Sequence, residues 1–163
     1  MNKAYFLELA KYNIWANNKM ISWLNEISET QYEQPIESSF GSIAGNALHV
    51  ASAEKIWLER LHENPTPIWL ASKFKGDKET LITIWKQASE NIKNYIENFD
   101  ENNLHNKIKF KRLNGDEYEL PFYQIFAHVL NHSTFHRGQF VTLLRQVGFS
   151  NISGTDLLDF YKL

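Results

Sequence analysis

One run near the end of the chain carries three histidines at four-residue intervals, His128-Val-Leu-Asn-His132-Ser-Thr-Phe-His136, followed by Arg137-Gly-Gln139. Side chains at i and i+4 on a helix sit one above the other, close enough for two imidazoles to share one small metal ion. Three are too many for one ion. His128 and His136 are separated by a rise of about 12 Å and a sweep of roughly 80° around the axis. Two nitrogens each about 2.1 Å from one zinc do not come from positions that far apart. The pair is therefore His128 with His132, or His132 with His136.

Helix phase chooses between them. Phe122, Ile125, Val129, Phe140, Leu143 and Val147 recur at helical spacing and mark an apolar stripe. At about 100° per residue, His136 falls inside the stripe, His132 at its edge and His128 roughly 90° or more from its centre. Metal sites in helical bundles are built from inward-pointing side chains. The phase favours His132 with His136.

The elements that must position this pair follow from periodicity. Residues 3–27 hold Phe6, Leu9, Ala10, Ile14, Ile21 and Leu24 at three- and four-residue steps, which predicts a first helix. After a polar loop with Pro35 and Gly41, Ser42 suits the cap of a second helix reaching about Leu61, before Pro65 and Pro67. Asp77 suits the cap of a third, bearing Leu81, Ile84, Trp85, Ala88, Ile92, Tyr95, Ile96 and Phe99. The period then changes to two. Lys107-Ile-Lys-Phe-Lys and Glu117-Tyr-Glu-Leu flank Asn114-Gly115, a hairpin signal, with lysines and glutamates placed to pair across one face. Pro121 suits the first turn of a fourth helix and Gly148 its stop. These elements make an all-α fold: a four-helix bundle with a small β-hairpin before the last helix, in one domain spanning residues 1–163.

Composition narrows the chemistry. The chain has 163 residues, 43% hydrophobic and 22% charged, as in ordinary globular proteins. A net charge of −2 gives no footprint for nucleic acid. The absence of cysteine excludes disulfides, thiolate ligands and a cysteine nucleophile, leaving imidazole and carboxylate as ligands. No signal segment or membrane-spanning run is visible, so the expected location is cytoplasmic, without membrane partners. Five tryptophans within a 14% aromatic content point to a bulky core or an aromatic-lined pocket.

The run Asn131-His132-Ser-Thr-Phe-His136-Arg137-Gly138-Gln139 resembles the last-helix signature of the DinB (damage-inducible, YfiT-like) family. Tyr12-Asn-Ile-Trp15-Ala-Asn17, Leu48-His49-Val50 with Glu54 and Trp57, and the tail Gly154-Thr-Asp156-Leu-Leu-Asp-Phe-Tyr resemble it in the same order along nearly the whole chain. The resemblance implies a four-helix bundle, often a homodimer, with a divalent metal held by His49, His132 and His136. Periodicity alone places His49 well away from the centre of its helix's apolar stripe, as a partly exposed histidine. Imidazole ligands suit zinc, nickel, copper and iron alike, with zinc or nickel the first expectation.

Glu54 lies within an apolar stripe, where a carboxylate needs a partner or a raised pKa. An ion pair with a neighbouring helix is its plainest role; the alternatives are a carboxylate that orients a ligand histidine or a proton acceptor near bound water. His128 reads as a flanking polar residue or a hydrogen-bonding group behind the ligands, and Gln139 as a pocket residue near His132. Arg137 reads as a structural pairing group and Asp156 as the cap of a short terminal helix. His62 and His105 read as solvated.

Three neutral histidines leave a coordination position open, as in catalytic zinc sites. The resemblance extends to metal-dependent transferases that activate bacillithiol or another small thiol toward an electrophile. Two alternatives stand beside that function: a non-catalytic metal-binding dimer in stress response, and a metal-dependent hydrolase.

Overall fold

The computed structural model describes residues 2–163. Six helices and one hairpin run in the order α1 Lys3–Glu26, α2 Glu29–Glu33, α3 Ile43–Leu61, α4 Lys78–Asn98, β1 Lys107–Lys111, β2 Glu117–Pro121, α5 Phe122–Gln146 and α6 Leu157–Phe160. The four long helices form the expected bundle. α1 packs on α4 and α5, and α3 packs on the same two, so α1 and α3 stand diagonally opposite.

The helix ends lie where local chemistry puts them. The side chains of Asn2, Ser42 and Asp77 accept hydrogen bonds from the amides of Tyr5, Gly45 and Thr80, filling donors that the first turns of α1, α3 and α4 leave unpaired. α5 ends at Gly148, whose φ of +84° is left-handed. Asp156 caps α6, accepting from the Leu158 amide at 2.8 Å. The polar loop after α1 holds more structure than its composition predicts. Ser28 and Gln31 form a reciprocal capping box that starts α2, and Gln31 then donates to the Val147 carbonyl at the end of α5. Pro121 closes β2 just ahead of α5, where its missing N–H costs nothing.

The hairpin is antiparallel, with Lys109 opposite Glu119 and Lys111 opposite Glu117. Its exposed face carries the Lys111–Glu117 and Lys107–Glu119 ion pairs at 3.0 and 3.8 Å. The turn is longer than a two-residue one. The Arg112 amide donates to Asp116, the Gly115 amide donates back to Arg112, and Gly115 adopts a φ of +91°. Its inner face buries Ile108 and Phe110, with Phe110 5.1 Å from the Trp57 ring. The hairpin is thus a wall packed on α3.

The core is divided. One apolar cluster holds Met20, Leu24, Ile43, Leu81, Trp85 and Phe140; the other holds Phe6, Ile56, Ile92, Ile96, Phe126 and Val129. Between them, all four long helices contribute buried polar side chains at one level: Asn13 and Asn17, Glu54, Ser89, and Ser133 with Arg137. No helix among the described residues is long and apolar enough to cross a membrane.

Candidate metal centre

His132 and His136 stand one turn apart on α5, with their Nε2 atoms 3.1 Å apart. His49 reaches across from α3, its Nε2 3.2 Å from that of His132. The three ligand atoms all lie within 4.8 Å of one another. Two nitrogens about 2.1 Å from a tetrahedral zinc are about 3.4 Å apart, close to the spacing found here. His136 is buried, His132 and His49 are half-buried, and His128 is exposed. The His128 ring lies 4.8 Å from Trp57 and 5.8 Å from His132, outside the cluster.

His49 is held by segments outside its own helix. The Phe40 ring stacks on its imidazole with centroids 4.1 Å apart, and Trp69 meets it edge-on at 5.6 Å. Phe40 comes from the loop before α3, and Trp69 from the connection to α4. Gly45 permits this cover, because a Cβ there would overlap the Phe40 carbonyl oxygen. Periodicity within α3 could not show it, since both covering residues lie beyond that helix.

Burial keeps all three imidazoles neutral. It lowers His49 to about 4, with a further push from His136. It lowers His132 to about 3, with His136, His49 and His128 adding to the effect. His136 is also lowered by burial, partly offset by Gln139. Gln139 Oε1 accepts from His136 Nδ1 at 2.7 Å, which fixes the proton there and leaves the Nε2 lone pair facing the other two rings. Gln139 thus holds a ligand candidate from behind.

These residues fit a divalent cation. Three neutral imidazoles aim Nε2 at a common point, and one shared proton can relieve only part of the lone-pair crowding. A cation satisfies all three. His132 Nδ1 is buried without a hydrogen-bond partner, and with a cation on Nε2 it would carry a proton that no described protein group accepts. Beside the cluster opens a cavity of about 620 Å³, lined by His49 and His132, by Trp57 and Trp69, and by Phe110 and His128. Protonation would compete weakly with a metal at such lowered values. Zinc affinity should therefore change little between pH 7.5 and 6, whereas three ordinary imidazoles near 6.5 would lose roughly 50-fold; competitive titration at both pH values checks this. The metal-free fold should also weaken as pH falls from about 6.5 towards these values, because the unfolded chain takes up protons first.

Glu54 is placed behind the cluster and bonds none of its histidines. Its Oε1 accepts from Asn13 and Asn17 at 2.8 and 2.9 Å and from Ser133 at 2.9 Å; its Oε2 accepts from Ser89 at 2.6 Å. The same two amides turn their oxygens to Arg137, whose Nη1 donates to Asn13 and Asn17 at 2.5 and 3.0 Å. Glu54 and Arg137 are thereby coupled through two asparagines in place of the direct ion pair expected. Ser133 and Arg137 flank the ligand candidates on α5, so this layer fixes the helix rotation that turns His132 and His136 towards α3. The sequence pattern assigns no role to Asn13, Asn17, Ser89 or Ser133, although three of them stand within the family-like motifs. The available signal was a pair of asparagines at i and i+4 in an otherwise apolar helix face.

Known proteins resemble this chain in sequence and in fold. Residues 1–162 match the sequence profile of the DinB family. The protein DinB of Bacillus subtilis (strain 168) is 25% identical over 154 residues, covering 90% of this chain and 88% of its own. A DinB-like protein from Bacillus cereus ATCC 10987 superposes with a TM-score of 0.72 at 17% identity, covering 94% of this chain and 97% of that one. Another DinB-like protein, from Bacillus subtilis, does so with a TM-score of 0.67 at 16% identity, covering 91% and 97%. At these identities the structural likeness speaks for the fold, and the profile match speaks for kinship: the chain belongs to the DinB family.

Proposed function

We propose that this protein is an enzyme that holds a divalent metal, zinc or nickel, on His49, His132 and His136 and uses it to transfer a small thiol onto an electrophile. The observation that carries the reading is the convergence of three neutral imidazole nitrogens at the edge of an aromatic-lined cavity. A divalent ion held by three neutral ligands supplies Lewis acidity, with a free position for a thiol sulfur and charge enough to favour thiolate at neutral pH. The chain's own groups do the rest. Gln139 holds the His136 tautomer, Phe40 and Trp69 shield His49 from bulk water, and Trp57 gives the substrate an apolar wall. In the reaction the thiol proton goes to solvent, a sulfur–carbon bond forms, and the leaving group departs with the electrons of the bond it breaks. The lack of cysteine in the chain leaves the thiol to a cosubstrate, for which bacillithiol is the first to try.

Two measurements test this. Chelator-treated protein should take up about one zinc or nickel per chain, with a rise in melting temperature that grows with metal concentration. The loaded protein should then conjugate bacillithiol to a generic electrophile such as monochlorobimane faster than the metal-free protein. One ion per chain with equal conjugation rates would favour the non-catalytic metal-binding reading; no ion and no stabilisation would reject both.

A further inference from the structure

Arg60 lies in the last turn of α3 and is 7% exposed. A buried guanidinium ordinarily has a carboxylate partner. Arg60 has none. It gives one hydrogen bond, from Nη2 to the Lys111 carbonyl at 3.1 Å, and its Nε is buried without a partner. The faces of the group are occupied by Trp57 and Phe110, 4.6 and 5.4 Å away. The nearby hairpin carboxylates are engaged elsewhere, Glu117 with Lys111 and Glu119 with Lys107. Arg112, at the end of the hairpin, lines the same cavity and forms no ion pair among the described residues.

Two uncompensated guanidiniums therefore line the cavity that reaches His49 and His132. Asn114 and His128 add polar groups, and the rest of the wall is apolar or aromatic, with Ile56, Trp57, Trp69 and Leu120. Charge of one sign at one end, aromatic walls along the length and imidazoles at the other end describe a ligand with matching parts. The negative end of the α3 dipole lies at Arg60 and disfavours a doubly charged group there, so a carboxylate suits the site better than a phosphate.

We propose that this cavity binds small molecules carrying a carboxylate on an apolar or aromatic body. Arg60 and Arg112 hold the carboxylate, and the body lies along Trp57 and Trp69 towards the histidines. This names a substrate class for the reading above and rests on it for the direction in which the ligand points, but not for the binding itself.

Calorimetric titration of the full chain with 2-naphthoate, and with its neutral analogue 2-naphthalenemethanol, tests the proposal. Metal-free protein should bind one 2-naphthoate per chain, at least about tenfold more tightly than the alcohol. Arg60→Gln and Arg112→Gln should each weaken naphthoate binding by roughly 10- to 100-fold and leave the alcohol unchanged. Arg112 is exposed, so its replacement reads out binding even if Arg60→Gln unfolds the chain. Equal binding of acid and alcohol, no saturable naphthoate binding, or no response to Arg112→Gln would overturn the proposal. Naphthoate that binds only zinc-loaded protein and ignores both arginines would overturn it while leaving the metal reading intact. Arginine-dependent binding by a chain that takes up no metal would do the reverse.

Discussion

His136→Ala should lower zinc affinity by more than about 100-fold, and His132→Ala should be as severe. Removing a group behind a ligand costs roughly 10- to 100-fold, and these substitutions remove one of the three proposed ligand nitrogens outright. His128→Ala should fall within or below that smaller range, because its ring packs on Trp57 outside the cluster. Gln139→Leu should lie between, since it frees the His136 tautomer without removing a ligand. Competitive chelator titration ranks the four variants, with circular dichroism to show that each is folded. An intact site in His136→Ala and a lost one in His128→Ala would mean that the rotation of α5 is wrong.

The second large effect is on stability. Arg137→Met should destabilise the fold by about 3–5 kcal/mol, because it leaves the fully buried Glu54 without the positive charge that Asn13 and Asn17 connect to it. In a domain of this size that is a fall in melting temperature on the order of 10 °C. Glu54→Gln should also destabilise, and the double variant should lose less than the sum, since each partner left alone is a buried, uncompensated group. Thermal unfolding of the two single variants and the double variant measures the coupling. Additive losses would show that the two groups act independently.

Most of the fold was legible in the residue pattern, because its long elements carry strong local signals. Ser42 and Asp77 mark helix starts, Gly148 a stop, and the Lys/Glu alternation a hairpin whose ion pairs form across one face. The facing of His136 followed from the stripe of α5, which sets the rotation of that helix on its own. The partial exposure of His49 followed from the phase of α3, but its packing did not, because Phe40 and Trp69 meet it from two loops whose paths no helical period encodes. Glu54 was visible as a carboxylate on an apolar face, but its partners were not. Four come from three other helices, and their level in the bundle depends on how those helices slide against one another. The cationic wall was equally hidden, since Arg60 and Arg112 are distant in sequence and meet only where the hairpin folds onto α3.

The most direct test is X-ray absorption at the zinc edge of the full chain loaded with one equivalent of zinc. Three imidazole nitrogens at about 2.0–2.1 Å, completed by a light oxygen or nitrogen donor, is the expected coordination. In His49→Ala the imidazole count should fall to two. A spectrum with one imidazole or none in the unsubstituted chain, or one that His49→Ala leaves unchanged, would contradict the three-histidine centre.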